Sequence, residues 1–326
     1  MCIATMSPEF ELIAKYFTRP VKRAALGVGD DCALIDVAPD SQLAISTDTL
    51  VAGTHFFRDA DPQKLGHKAL AVNLSDLAAM GARPCYVTLA LTLPTVDASW
   101  LAAFSRGFFA LADEFDVDLI GGDTTRGPLS ITITAFGEVG VGLALRRDGA
   151  KDGDDIWISG SLGDAALALK HMLGTVTLAS AMFDIVAQRL HQPNPRIWLG
   201  RALTGVASSA IDISDGLVAD LTHICERSAL SAHLSWPAVP LSKSLLSVAL
   251  EHQYACALTG GDDYELCFTA PETMRHRLVS ISTSSGVALS RVGSMRRGSP
   301  KVTVCDEHGR ELPVVAAGFD HFANKI

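Results

Sequence analysis

The sequence predicts an α/β protein of two domains, with mixed rather than purely parallel sheets. Three observations carry that expectation. The chain has 326 residues, more than a single hydrophobic core usually organises. Helical and strand periodicities interleave in both halves. The stretch "RRDGAKDGDD" (146–155) is polar and without apolar period, so it divides the chain into residues 1–145 and 146–326.

Each element has a local reason. "SPEFELIAKYF" reads as a first helix, with Ser7 as cap, Pro8 in the first turn and Glu9 and Glu11 at the positive end. "LAIST" (43–47) reads as a strand after a Pro-Asp turn. "DPQKLGHKALAVNLSDLAAMGARP" reads as a long helix capped by Asp61, begun by Pro62 and ended at Gly81. "YVTLALTL" (86–93) alternates Val87, Leu89, Leu91 and Leu93 with Thr88 and Thr92, which is strand periodicity. "DASWLAAFSRGFFALADEF" places Leu101, Phe104, Phe108, Leu111 and Phe115 on one helical side. "VDLIGG" and "SITITAFGEV" read as strands. Beyond the boundary, "IWISG" and "GDAALALKHML" give a strand and a helix, and "IDISDGLVADLTHICERS" a strand running into a helix. "YACALTGGDDYELCFTA" reads as two strands joined through a glycine-aspartate turn.

Composition excludes several classes. A net charge of −9 argues against a broad nucleic-acid surface, which needs a basic stripe. Seven scattered cysteines without a C-x-x-C pair read as reduced thiols of a cytoplasmic protein. No apolar run approaches a membrane span, and "MCIATMSPEF" lacks a secretory pattern. A Walker A loop, a kinase glycine loop with H-R-D, a G-x-S-x-G elbow and an H-E-x-x-H helix are all missing.

What the chain has instead is aspartate, 26 of its 36 acidic residues. Asp48 follows "LAIST", Asp123 follows "VDLIGG", Asp212 and Asp215 stand where a strand yields to a helix, and Asp262 and Asp263 follow "ALTGG". Strand ends are where ligand sites gather in such sheets. Asp76 shares a helical stripe with Val72 and Met80, so its carboxylate projects from a partly apolar face and needs a cap, an arginine or a metal. If Asp30, Asp48, Asp76 and Asp123 converge, each pair ~4 Å apart repels by roughly 4 kcal/mol at an effective dielectric of ~20. Several Mg²⁺ ions would relieve this while creating a phosphate site. Asp262 beside Asp263 likewise calls for a positive neighbour.

Taken together and in order, "LGVGDDCALI", "ISTDTLVAGTHF", "NLSDLAAMGARP", "LIGGDTTRG", "IDISDGLVADL", "GGDDYELCFT" and "GFDHF" resemble the thiamine-monophosphate kinase family across residues 26–322. The resemblance implies ATP-dependent phosphorylation of thiamine monophosphate to thiamine diphosphate. It implies the fold of aminoimidazole-ribonucleotide synthetase, with N-terminal sheets of two subunits forming a barrel in a homodimer. It also implies Mg²⁺ ligation by Asp30, Ser46, Thr47, Asp48, Asp76, Asp123, Asp212 and Asp215. ATP contacts would come from Gly122, Asp123, Arg147 and Ser214, and substrate contacts from His55, Glu265 and Phe319. Arg126 is a further candidate for a phosphate.

The expected chemistry is direct in-line attack of the acceptor phosphate on the γ-phosphorus of ATP. That nucleophile is already an anion, so no general base is expected, and catalysis rests on positioning and charge neutralisation. Among related folds, a selenophosphate synthetase would need a reactive Cys near Lys in an N-terminal loop, which Cys2 lacks. A hydrogenase maturation protein would end in a functional Cys, whereas this chain closes on "FANKI". A non-catalytic nucleotide-binding module is the alternative of a different class.

Overall fold

The computed structural model describes residues 8–314. Ser7, Phe319, Cys2 and the "GFDHF" stretch lie outside them. Packing divides the chain into two compact units, the first running up to Leu77 and from Arg83 to Val141, the second comprising Ala78–Ala82 and the chain from Gly142 onward. The polar 146–155 segment therefore lies inside the second unit, where Arg147–Gly149 makes a 3-10 turn.

The first unit contains α1 (Pro8–Tyr16), β1 (Ser41–Val51), α2 (Pro62–Ala79), β2 (Arg83–Leu93), α3 (Ala98–Glu114), β3 (Asp118–Arg126) and β4 (Ser130–Gly140). The four strands form one open sheet in the order β1-β4-β2-β3. Only β2 and β3 run parallel; β4 is antiparallel to both β1 and β2. Asp61 caps α2 as expected, its Oδ1 accepting the Lys64 N–H at 2.9 Å. Asp97 does the same for α3 through the N–H groups of Ser99 and Trp100. The five apolar residues expected on one side of α3 are all buried, Leu101, Phe104 and Phe108 completely. α2 and α3 touch at two glycines: a Cβ on Gly107 would come within 1.8 Å of the Gln63 carbonyl, and one on Gly66 within 2.1 Å of the Phe104 carbonyl. No side chain fits between backbones that close.

Strand alternation is clear in β2, where Val87, Leu89, Leu91 and Leu93 are buried and Ala90 is exposed. The same alternation leaves one sheet face open. Ile45, Thr47 and Thr49 of β1 are exposed there, with Thr47 and Thr49 hydrogen-bonded across to Thr134 and Thr132 at 2.9 Å.

The second unit contains β5 (Asp155–Ser159), α4 (Asp164–Met172), α5 (Ser180–His191), α6 (Ile197–Leu203), β6 (Ser209–Asp212), α7 (Leu217–Ser228), β7 (Ser231–Ser235), α8 (Lys243–Leu246), α9 (Leu250–Leu258), β8 (Leu266–Ala270), α10 (Arg275–Ser285), β9 (Leu289–Arg296) and β10 (Val302–Cys305). Its six strands run β10-β7-β9-β5-β8-β6, parallel only between β10 and β7. α4, α5, α7 and α9 bury Leu167, Val186, Leu221 and Cys256 in a core shared with Ile156 and Ile158 of β5. "YACAL", expected as a strand, is the end of helix α9, so the glycine-aspartate turn joins a helix to β8 rather than two strands. Among the described residues no helix is long and apolar enough to cross a membrane.

Candidate active site

In the first unit, Ser46 and Asp48 lie inside β1 rather than beyond its end. Alternate residues of a strand share a face, and these two face α2. The Ser46 hydroxyl donates to the Asp76 carboxylate, and the Asp48 N–H donates to Asn73 Oδ1 at 3.1 Å. Asn73 is itself held by its Nδ2 donating to the Ala69 carbonyl at 3.0 Å. Asp76 is half-buried on a helix whose neighbouring residues are buried, as its sequence setting predicted. This corner thus presents a hydroxyl and two carboxylates, all hard oxygen donors.

The rest of the expected ligand set is distributed differently. Thr47 points to the open face, where its hydroxyl meets Thr134. Asp123 also lies within a strand, β3, in the cross-strand row of Ala90, Thr132 and Thr49. Three strand spacings separate β1 from β3, about 14 Å at ~4.8 Å each. Asp30 is exposed in the 26–34 loop, its Oδ1 accepting the Asp31 N–H at 2.8 Å. Among the described residues, no three His, Cys, Asp or Glu side chains form a group able to hold a metal. Among the described residues, then, Asp30, Asp48, Asp76 and Asp123 do not form one cage: Asp48 and Asp76 meet at the α2 corner, whereas Asp123 stands on β3, three strands from β1. Magnesium does not need such a cage, since it takes one or two carboxylates and fills its shell with water and phosphate oxygens. By donor chemistry the Ser46–Asp48–Asp76 corner fits it.

His55 sits in the turn after β1, with Nδ1 accepting the Val51 N–H at 2.9 Å. An accepting Nδ1 carries no proton, so the neutral ring is protonated at Nε2. Gly122 has φ +150°, and a Cβ there would come within 1.8 Å of the Leu89 carbonyl. Arg126 is exposed at the end of β3.

In the second unit, Asp212 ends β6 almost fully buried, and Ser214 and Asp215 follow in the loop before α7. A residue outside the expected set shapes this loop. Asp220, in the first turn of α7, accepts the N–H groups of Ser214, Asp215 and Gly216 on one oxygen, each at 3.1 Å. Burial and the nearby Asp215 charge push the Asp220 carboxyl up to about 7. Arg147 is exposed, and its carbonyl accepts the Ser228 hydroxyl at 2.8 Å.

The glycine-aspartate turn resolves its crowded charges in an unexpected way. Asp263 is buried, both its oxygens accepting the Gly163 N–H at 2.9 Å, and burial holds its carboxyl well above the usual range. The Tyr264 hydroxyl reaches Asp262 Oδ1 at 3.1 Å. The positive neighbours do exist, but they serve Glu265. Its Oε1 accepts from Arg189 Nη2 at 2.6 Å and from Arg196 Nη2; its Oε2 accepts from Arg196 Nε at 2.7 Å and Ser159 Oγ at 2.5 Å. Four donors fill the roughly four lone-pair sites of a carboxylate, and Glu265 is 0% exposed. The substrate contact expected of Glu265 is therefore corrected: no acceptor capacity or open surface remains for a ligand.

Residues 29–139 match the family described as AIR synthase related protein, N-terminal domain. The match and the two mixed α/β units define an AIR synthase-like protein. The thiamine-monophosphate kinase of Escherichia coli (strain K12) is 47% identical over 320 residues, covering 97% of this chain and 98% of that protein. The crystal structure of thiamine-monophosphate kinase from Stenotrophomonas maltophilia K279a superposes with a TM-score of 0.83 at 46% identity, covering 90% of this chain and 94% of that one. AaThiL complexed with AMPPCP and TMP gives a TM-score of 0.77 at 29% identity, over 87% and 89% of the two chains. The chain belongs to the thiamine-monophosphate kinase family.

Proposed function

We infer that this chain transfers the γ-phosphoryl group of ATP to the phosphate of thiamine monophosphate, forming thiamine diphosphate and ADP. The observation that carries the reading is the full-length likeness, 47% identity across 97% of the chain, to a kinase of that name. A homologue solved with AMPPCP and TMP together supports both substrates.

Magnesium, when bound, supplies charge neutralisation for the polyphosphate and the transferring group. Ser46, Asp48 and Asp76 would hold it in the first unit, and Asp212 and Asp215 in the second. Asp30, Thr47 and Asp123 join this set by the family resemblance. Gly122, Asp123, Arg147 and Ser214 would meet ATP. At Gly122 the missing side chain lets β3 lie against the Leu89 carbonyl of β2. His55 offers an Nε2–H donor to the substrate, and Phe319 an aromatic face to the cationic thiazolium. The acceptor phosphate is already ionised, so no residue needs to remove a proton from it.

The open face of the first unit's sheet fits a homodimer in which a second copy covers it, completing a barrel. Ile45 is 58% exposed there, and a sheet normally packs against a second layer. The reading places the enzyme in the cytoplasm, with no nucleic-acid or membrane partner.

The test is direct. Purified protein, Mg-ATP and thiamine monophosphate should yield thiamine diphosphate and ADP in equal amounts. Asp30→Asn should lose most of that activity; a fully active variant would remove Asp30 from the metal site. Protection against unfolding by Mg-ATP with no product formed would make the chain a nucleotide-binding module instead.

A further inference from the structure

The turn before β8 holds an unusual backbone. Asp262 and Tyr264, neither of them glycine, have φ of +68° and +50°. Left-handed backbone at such residues costs about 1–2 kcal/mol each and persists only where surrounding structure enforces it. The turn lies directly on the loop that carries Ser214 and Asp215. The Asp262 N–H donates to the Ser214 carbonyl at 2.9 Å, the Tyr264 N–H to the Ile213 carbonyl at 2.8 Å, and the Ile213 N–H to the Glu265 carbonyl at 2.8 Å. Contact is close enough that a Cβ on Gly261 would come within 2.2 Å of the Ser214 carbonyl. The two segments therefore share one register, and whatever fixes the turn also fixes Ser214 and Asp215.

Glu265 is that fixed point. Its backbone closes the register, and its side chain is clamped from α5 by Arg189, from the approach to α6 by Arg196 and from β5 by Ser159. Arg189 also donates to the Asp263 carbonyl at 3.3 Å, gripping the turn itself. We propose that Glu265, held by Arg189 and Arg196, is a positioning residue that sets Ser214 and Asp215 at the geometry in which they meet Mg-ATP, and that it does not touch thiamine monophosphate. This rests on the assignment of Asp212, Ser214 and Asp215 to the nucleotide side under the kinase reading.

The test compares wild type, Glu265→Gln, Arg196→Lys and Ser159→Ala in steady-state kinetics, with AMPPCP binding in Mg²⁺ measured by calorimetry. Losing a residue that orients a ligand-bearing loop typically costs about 10–100-fold. Glu265→Gln should raise KM for Mg-ATP and lower kcat by about tenfold or more each, leaving KM for thiamine monophosphate essentially unchanged. Arg196→Lys should fall between it and wild type, because lysine keeps the charge but loses the two-pronged grip. A rise confined to the KM of thiamine monophosphate would overturn the proposal by making Glu265 a substrate contact. Activity falling only with the folded fraction, both KM values unchanged, would overturn it too. Should Glu265→Gln fail to fold, Arg196→Lys and Ser159→Ala decide by the same two criteria. A wild type that makes no thiamine diphosphate refutes the kinase reading instead, and AMPPCP affinity across the variants then decides the positioning role alone.

Discussion

Gly160 and Glu265 occupy space that only one of them can fill with a side chain: a Cβ on Gly160 would come within 2.2 Å of Glu265 Oε1. Gly160 also has φ +61°. Gly160→Ala thus combines left-handed strain of about 1–2 kcal/mol with disturbance of a charge-assisted hydrogen bond of about 1.5–3 kcal/mol. Gly309, at φ +77° with nothing within 4 Å of where a Cβ would stand, isolates the first effect. Urea denaturation should show Gly160→Ala destabilised by at least about 1.5 kcal/mol more than Gly309→Ala. Equal losses would mean that the Glu265 clamp contributes nothing to stability.

The Ser46–Asp76 hydrogen bond links β1 to α2 at the corner proposed to hold magnesium. Asp76→Asn keeps the shape but removes the charge that a divalent ion needs. Thiamine diphosphate formation should fall by about 100-fold or more, and Ser46→Ala by about tenfold. Thermal melts of Asp76→Asn without Mg²⁺ should stay near wild type, since the amide keeps an oxygen that can accept the Ser46 hydroxyl. Near-normal turnover in Asp76→Asn would place the metal elsewhere.

Much of this was readable in the chain itself. Leu101, Phe104 and Phe108 announced the buried side of α3, and the ordered aspartate motifs announced the family. The failures have physical causes. Aspartate is a poor strand former, so "LAIST" and "VDLIGG" read as ending before Asp48 and Asp123; cross-strand pairing with β4 and β2 carries both strands through them. "YACAL" is a short apolar run, which strand and helix periodicities describe equally well, and α9 begins upstream of it at Leu250. The clamp was out of reach for another reason. Arg189 and Arg196 are 76 and 69 residues from Glu265 in sequence, and no local pattern joins them. Asp220 left a fainter trace, a carboxylate in the first turn of a helix behind a glycine-bearing loop.

Asp155 offers a pH test of the second unit's sheet. Burial raises its carboxyl, but hydrogen bonds and charge from Arg275 and Arg291 outweigh that and leave it below the usual range. A depressed carboxylate stabilises the fold above its unfolded pKa of about 3.9, and the contribution disappears as pH falls through the lower folded value. Asp155→Asn should cost about 1–2 kcal/mol at pH 7, discounted because Arg291 is half exposed. The gap between variant and wild type should close as pH drops below about 4. A gap independent of pH would assign the loss to packing and not to charge.

The open sheet face of the first unit bears on assembly. A two-fold dimer sets each surface against its own copy, so one substitution enters the interface twice. Ile45, 58% exposed, lies on that face on the edge strand β1, opposite Phe136 of β4 and two residues from Thr47. Ile45→Lys would replace two apolar side chains by ammonium groups beside Phe136 and its copy, where charge is costly to bury. Sedimentation velocity at micromolar protein should show wild type as a dimer and Ile45→Lys shifted to monomer, with the monomer still folded by circular dichroism. A wild type that sediments as a monomer, or a variant that stays dimeric, would remove this face from the interface.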